Sequence, residues 1–209
     1  KKGSDIEKIK KNLSKISSSE VNLNIKEEPL LVFIQHPVSN WLKKTKKHIK
    51  ISLSAIDTLN LPTIIISSNS DPGNLIIKSE CSKFKFLNQK VRYFENIPEK
   101  IFINIIRKAS VLVGNSSMGV SEAPLLKLPV VNVGLRQKDR QNAGNIIFVS
   151  HDKNKIVKAI KKSLYDKKYL KKMKQQKNPY GAGGASKKIV KILSKININH
   201  KLISKGITY

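Results

Sequence analysis

From Pro29 onward the chain alternates short, predominantly apolar runs with longer stretches in which apolar residues recur at helical spacing. The first run, Pro29 to Gln35, stops at Gln35-His36-Pro37, where proline cannot continue a strand ladder. Similar runs follow at Pro62 to Ser67, Val91 to Phe94, Val111 to Val113, Val130 to Val133 and Ile146 to Val149. Because they are apolar at successive rather than alternate positions, they predict strands covered on both faces, as in a parallel sheet. Helices are expected over Leu42 to Leu59, Leu75 to Phe84, Pro98 to Ala109, about Gly119 to Lys127, Asn154 to Tyr165, Lys167 to Lys174 and about Ser186 to Ile198. Ahead of them, Ile6, Ile9, Leu13 and Ile16 mark an amphipathic helix over Ser4 to Ile16, and Ser17 to Glu28 reads as a polar linker. Strand and helix in alternation give an α/β fold, a doubly wound parallel sheet of Rossmann-like type. The expected organisation is a helix and linker over 1–28, the α/β domain over 29–199 and a tail over 200–209.

In such a sheet ligands bind outside the carboxyl ends of the strands, and the polar clusters of this chain fall at those ends. Val111 to Pro124 runs from a strand into Asn115, Ser116, Ser117 and Gly119 and then into a helix carrying Glu122. Small hydroxyl residues and glycine there leave backbone N–H groups free to face an anion at a helix N-terminus. A serine cap on an ordinary helix is the plainer alternative. Glu122, one turn into that helix, can accept hydrogen bonds from a ribose diol or complement the helix dipole. Arg136 and Arg140 follow the next strand. Arg136 is read as the phosphate ligand, through the bidentate geometry that lysine lacks, and Arg140 as structural. His36, at the first strand end, can protonate a leaving phosphate or bind it as an imidazolium. Asn69 and Asp71 belong to a turn, Asn69-Ser-Asp-Pro-Gly-Asn74, at the second strand end. The other three histidines look unremarkable.

Composition changes this picture little. The formal charge of +27 invites a polyanion partner, but only four of the basic residues are arginine and the lysines are spread along helices and tails. No specific nucleic-acid partner is expected. The lone cysteine, Cys81, is read as a small buried residue suited to a reducing cytoplasm. One cysteine and four scattered histidines give no metal constellation, and no G-x-G-x-x-G or G-x-x-x-x-G-K-[ST] motif is present, so neither a metal nor a cofactor is expected. No apolar run reaches the length of a membrane span. The chain begins with lysine, which suggests that an N-terminal part is missing.

Five segments together resemble the C-terminal part of the UDP-N-acetylglucosamine 2-epimerases of the hydrolysing branch found in nonulosonic-acid pathways. They are Gln35-His36-Pro37-Val38, Ser68-Asn-Ser-Asp-Pro-Gly73, Gly114-Asn-Ser-Ser-Met-Gly-Val-Ser-Glu-Ala-Pro124, Pro129-Val-Val-Asn-Val-Gly-Leu-Arg-Gln-Lys-Asp-Arg140 and Asn178-Pro-Tyr-Gly181. The resemblance implies the nucleotide-holding half of a two-domain glycosyltransferase-B-like fold, with the sugar-facing domain absent. It implies Ser116 and Ser117 on a diphosphate, Glu122 on the ribose, Arg136 on the phosphates and His36 beside the departing UDP. Asn69 and Asp71 line the same crevice. The reaction implied is elimination of UDP followed by hydration, giving N-acetylmannosamine, in a cytoplasmic homo-oligomer acting on a UDP-sugar. Its C2 acid and base lie in the absent domain, so this chain alone is expected to bind nucleotide and turn over nothing. Ala182, Leu135 and Asp139 depart from the family pattern, and relatives acting on bacillosamine-type sugars with UDP or GDP share these motifs. A glycosyltransferase C-terminal domain and a lysine-driven polyanion-binding protein are the rival readings.

Overall fold

The computed structural model describes residues 28–181 and 183–204. The amphipathic helix and linker expected before Glu28, and Ala182, lie outside the described residues. By internal contacts the chain divides into two units, Lys1–Pro179 and Tyr180–Tyr209.

Among the described residues the first unit contains six strands: β1 (Leu31–Ile34), β2 (Thr63–Ile66), β3 (Val91–Phe94), β4 (Val111–Gly114), β5 (Val130–Val133) and β6 (Ile146–Val149). All pair in parallel, in the order β3-β2-β1-β4-β5-β6. This is the doubly wound order, and its direction of winding reverses between β1 and β4. Between the strands lie α1 (Thr45–Leu59), entered through a 3-10 turn over Ser39–Lys44, α2 (Asn74–Leu87), α3 (Glu99–Lys108) and the single turn α4 (Met118–Ser121). After β6 come α5 (Lys153–Tyr165) and α6 (Lys167–Gln175).

Both faces of the sheet are buried, which is why the strands read as unbroken apolar runs. Leu31, Phe33, Val111, Val113, Val131 and Val133 point to one side, where Ile49, Leu53 and Ile56 of α1, Ile77 of α2 and Ile156 and Ile160 of α5 cover them. Val32, Ile34, Ile64, Leu112 and Val130 point to the other, under Ile105 and Ile106 of α3 and the Ala123 to Leu128 segment. Cys81 is buried in the first layer, and burial together with Glu80 pushes its thiol up to about 12, so it behaves as an apolar residue.

Two expected elements differ. The helix read over Gly119 to Lys127 is the one-turn α4 followed by a 3-10 turn over Ala123–Leu126. Pro124 has no N–H to return to Val120 and its ring crowds that carbonyl, so the α-helical ladder cannot pass it. In the second unit the last helix is shorter than read: α7 spans Ala185–Leu193, and a further turn, α8 (His200–Ile203), lies where only a tail was expected. Asn199 caps α8 by accepting the Leu202 N–H.

Candidate functional site

The reversal point between β1 and β4 is closed by a tight backbone contact. Gly114 has φ +132°, and a Cβ there would stand 1.9 Å from the Ile34 carbonyl oxygen. One residue further, Asn115 extends the pairing with its side chain: His36 N–H donates to Asn115 Oδ1 (2.6 Å), and Asn115 Nδ2 donates to His36 O (2.9 Å). Asn115 N–H donates to Ile34 O. Its own carbonyl accepts from Gln137 Nε2 (3.0 Å) and Arg136 Nη1 (3.3 Å). Asn115 is 2% exposed and every polar group it owns is committed, so it builds the crevice and offers nothing to a ligand.

His36 is joined to the neighbouring strand end. The Asn69 N–H donates to His36 Nδ1 (3.0 Å), and Asn69 Nδ2 donates to Asp71 Oδ2 (2.6 Å). Asp71 in turn forms a loose ion pair with Arg136 (3.7 Å). Residues from the ends of β1, β2 and β5 thus form one connected polar chain around the β4 loop. Because Nδ1 accepts, the neutral ring carries its proton on Nε2. Burial, with the Arg136 guanidinium nearby and against the pull of Asp71, lowers the His36 pKa to about 4. In the free chain burial and the nearby guanidinium thus favour the neutral ring, with its proton on Nε2. An anion placed beside it raises that value.

The β4 loop itself is only partly as read. The Ser116 and Ser117 amides donate to no acceptor among the described residues, so these two N–H groups remain available. With α4 a single turn, however, few peptide dipoles line up behind them, and any anion would be held by the free amides, hydroxyls and Arg136 rather than by a helix dipole. Gly119 serves packing instead of ligand approach: its N–H already donates to Ser116 O, and a Cβ would stand 2.8 Å from Val130 Cγ1. Glu122 sits at the join of α4 and the 3-10 turn, exposed, with the Ser121 hydroxyl donating to its Oε2. Asn178 Nδ2 reaches Ser121 O (3.4 Å) and ties the Asn178-Pro179 segment to this edge.

Two further features of the site were assigned no role from the sequence. Gln137, 3% exposed, stands between Asn115 O and Arg140, whose Nη1 donates to Gln137 Oε1 (2.9 Å). His48 of α1 and His151 before α5 stack face to face, centroids 3.7 Å apart, with Trp41 edge-on to His48. A Cβ on Gly134 (φ +84°) would reach within 2.6 Å of His151 Nε2, so this pair props the β5 loop that carries Arg136. Two of the three histidines passed over as unremarkable, His48 and His151, therefore border the site. Their contact joins residues from opposite ends of the domain, which no local pattern reports.

Burial, with His48 adjacent, lowers His151 to about 4 as well. A histidine whose folded pKa lies below its unfolded value of about 6.5 contributes stability that is complete above that value and is lost as pH falls toward the folded pKa. Thermal midpoints are therefore expected to fall between pH 6.5 and 5, before most carboxylates titrate, and the fall should shrink in His151→Gln. A flat profile through that window would rule out both depressed values.

A hollow of about 270 Å³ lies at the opposite, amino ends of the strands, beside Ser110 and Pro129. Of its cations, Arg107 and Lys174 lie in the last turns of α3 and α6, where positive charge complements the helix dipole, and Lys127 Nζ donates to Gln176 O (2.7 Å). Among the described residues no group of three or more His, Cys, Asp or Glu side chains could hold a metal ion, and no helix is long and apolar enough to cross a membrane.

Residues 4–194 match the model of the family described as UDP-N-acetylglucosamine 2-epimerase. The chain belongs to that family. It is 33% identical over 150 residues to the Campylobacter jejuni GDP/UDP-N,N'-diacetylbacillosamine 2-epimerase (hydrolyzing), covering 69% of this chain and 39% of that protein. It is likewise 33% identical over 168 residues to the Escherichia coli polysialic acid biosynthesis protein P7, covering 78% and 41%. Among solved structures, the Neisseria meningitidis UDP-GlcNAc 2-epimerase bound to UDP-GlcNAc superposes with TM-score 0.67 at 22% identity, over 92% of this chain and 50% of that one. Trehalose-6-phosphate synthase OtsA aligns over half its length with TM-score 0.55 at 9% identity, a likeness of fold alone. This epimerase-family chain is a Rossmann-like α/β half of a glycosyltransferase-B-like architecture and spans about two-fifths of the length of those two curated relatives.

Proposed function

We propose that this chain carries the nucleotide site of a hydrolysing nucleotide-sugar 2-epimerase. In that reaction a base removes the proton at sugar C2, the C1–O bond breaks with UDP leaving, and water adds across the resulting double bond to give an N-acetylmannosamine-type sugar. The observation that carries the reading is the connected chain His36–Asn69–Asp71–Arg136 set beside the two open amides of Ser116 and Ser117. Ser116, Ser117 and Arg136 hold the diphosphate, and the His36 Nε2–H group donates a hydrogen bond to the departing phosphate oxygen. Glu122 accepts from the ribose hydroxyls. Asn69 and Asp71 hold His36 and Arg136 in register. The names of the relatives, two of them hydrolyzing 2-epimerases, support the hydrolysing assignment.

Titrating UDP and, separately, GDP into the purified chain by calorimetry tests this. UDP is expected to bind, and Ser116→Ala is expected to weaken it about three- to tenfold, the worth of one hydrogen bond. Absence of binding by both nucleotides at millimolar concentration would sink the assignment.

A further inference from the structure

We propose that Gln137 is a positioning residue that aims the Ser116 amide, and that Arg140 acts on the site only through Gln137. The inference rests on the nucleotide reading above. The Asn115 carbonyl and the Ser116 N–H share one planar trans peptide, so they point in opposite directions. Gln137 Nε2 and Arg136 Nη1 both donate to that carbonyl, and so fix the plane from the buried side and turn the Ser116 N–H away from Gln137. A flexible loop would leave this plane free to rotate, and the amide would then meet an anion only part of the time.

Gln137 is itself held. Its Oε1 accepts from Arg140 Nη1, which settles the amide orientation: the NH2 must face Asn115 and the oxygen Arg140. Gln137 is buried while Arg140 is exposed, so the guanidinium steadies the amide from the solvent side. The two arginines of this loop therefore do different work. Arg136 reaches the same carbonyl from within the crevice and is placed to meet a ligand. Arg140, three residues from Gln137, spends its donor on Gln137.

A double-mutant cycle on the full chain separates a relay from direct contact. Gln137→Met is expected to weaken UDP binding about tenfold and Arg140→Ala about threefold, in line with neutral and solvent-exposed hydrogen bonds. In the Gln137→Met background the Arg140→Ala effect is expected to vanish. Amide ¹H–¹⁵N spectra without ligand give the second readout: both single variants should move the Ser116 resonance. Equal losses on Arg140→Ala in both backgrounds would mean that Arg140 touches the nucleotide, and would overturn the proposal. So would parent-like affinity in both single variants. If Gln137→Met fails to fold, a parent-like Ser116 resonance in Arg140→Ala overturns it on its own, since that exposed substitution leaves the core intact. If the parent chain binds no nucleotide, the site reading fails, and the ligand-free spectra still report whether Gln137 and Arg140 set the Ser116 amide.

Discussion

Arg136→Ala is expected to weaken UDP binding by about one to two orders of magnitude, the worth of charge-assisted hydrogen bonds of roughly 1.5–3 kcal/mol. The loss has more than one part. Arg136 supplies the guanidinium, supports the Asn115 carbonyl and pairs with Asp71, which lies two residues from the Asn69 amide on His36. Arg136→Lys should recover only a fraction, because an ammonium cannot hold the carbonyl and a phosphate with one planar fork. Calorimetric titration at fixed ionic strength measures it. A chain driven by its +27 charge alone would behave differently: binding would collapse with added salt and ignore Arg136→Ala. That pattern would replace the nucleotide site with the polyanion reading.

The second large effect concerns the fold on which the site stands. Gly114→Ala is expected to destabilise the chain by about 3 kcal/mol or more, through a steric overlap and an unfavourable backbone conformation together. The added Cβ would lie 1.9 Å from Ile34 O and 2.6 Å from its carbonyl carbon, and both are strand backbone that cannot swing aside as a side chain does. Relieving the overlap means separating β1 from β4 where Asn115 begins its pairing with His36. Gly181→Ala is the matched control: φ is +85°, but no heavy atom lies within 4 Å, so only the conformational cost, about 1 kcal/mol, is expected. Urea denaturation of both variants decides it. Equal stabilities for Gly114→Ala and Gly181→Ala would show that the strand approach is not the constraint.

The strands were legible to within two residues because a parallel sheet covered on both faces favours apolar residues at successive positions, and Val91–Phe94, Val130–Val133 and Ile146–Val149 break that pattern only at Arg92, Tyr93 and Asn132. The α4 region was misread for a local reason: apolar residues at helical spacing run through Ala123 to Leu126, but Pro124 cannot donate and the ladder ends. Arg136, His36, Asn69 and Asp71 could be placed at strand ends by counting, and the structure draws them into one chain of contacts.

By itself, then, the sequence determined the α/β alternation, the strand ends at which polar residues gather, and the family, since these depend on residues near one another in the chain. Tertiary structure decided which of those residues face outward. Asn115 and Gly119 carry the chemistry of ligand contacts, yet the first is consumed by His36 and Gln137 and the second by Val130. Gln137 and the His48–His151 stack acquired their roles from contacts across the crossovers. The physical reason is the register of β1 on β4: it brings residues 79 positions apart within hydrogen-bonding distance, and a donor's partner follows from that alignment and from no local pattern.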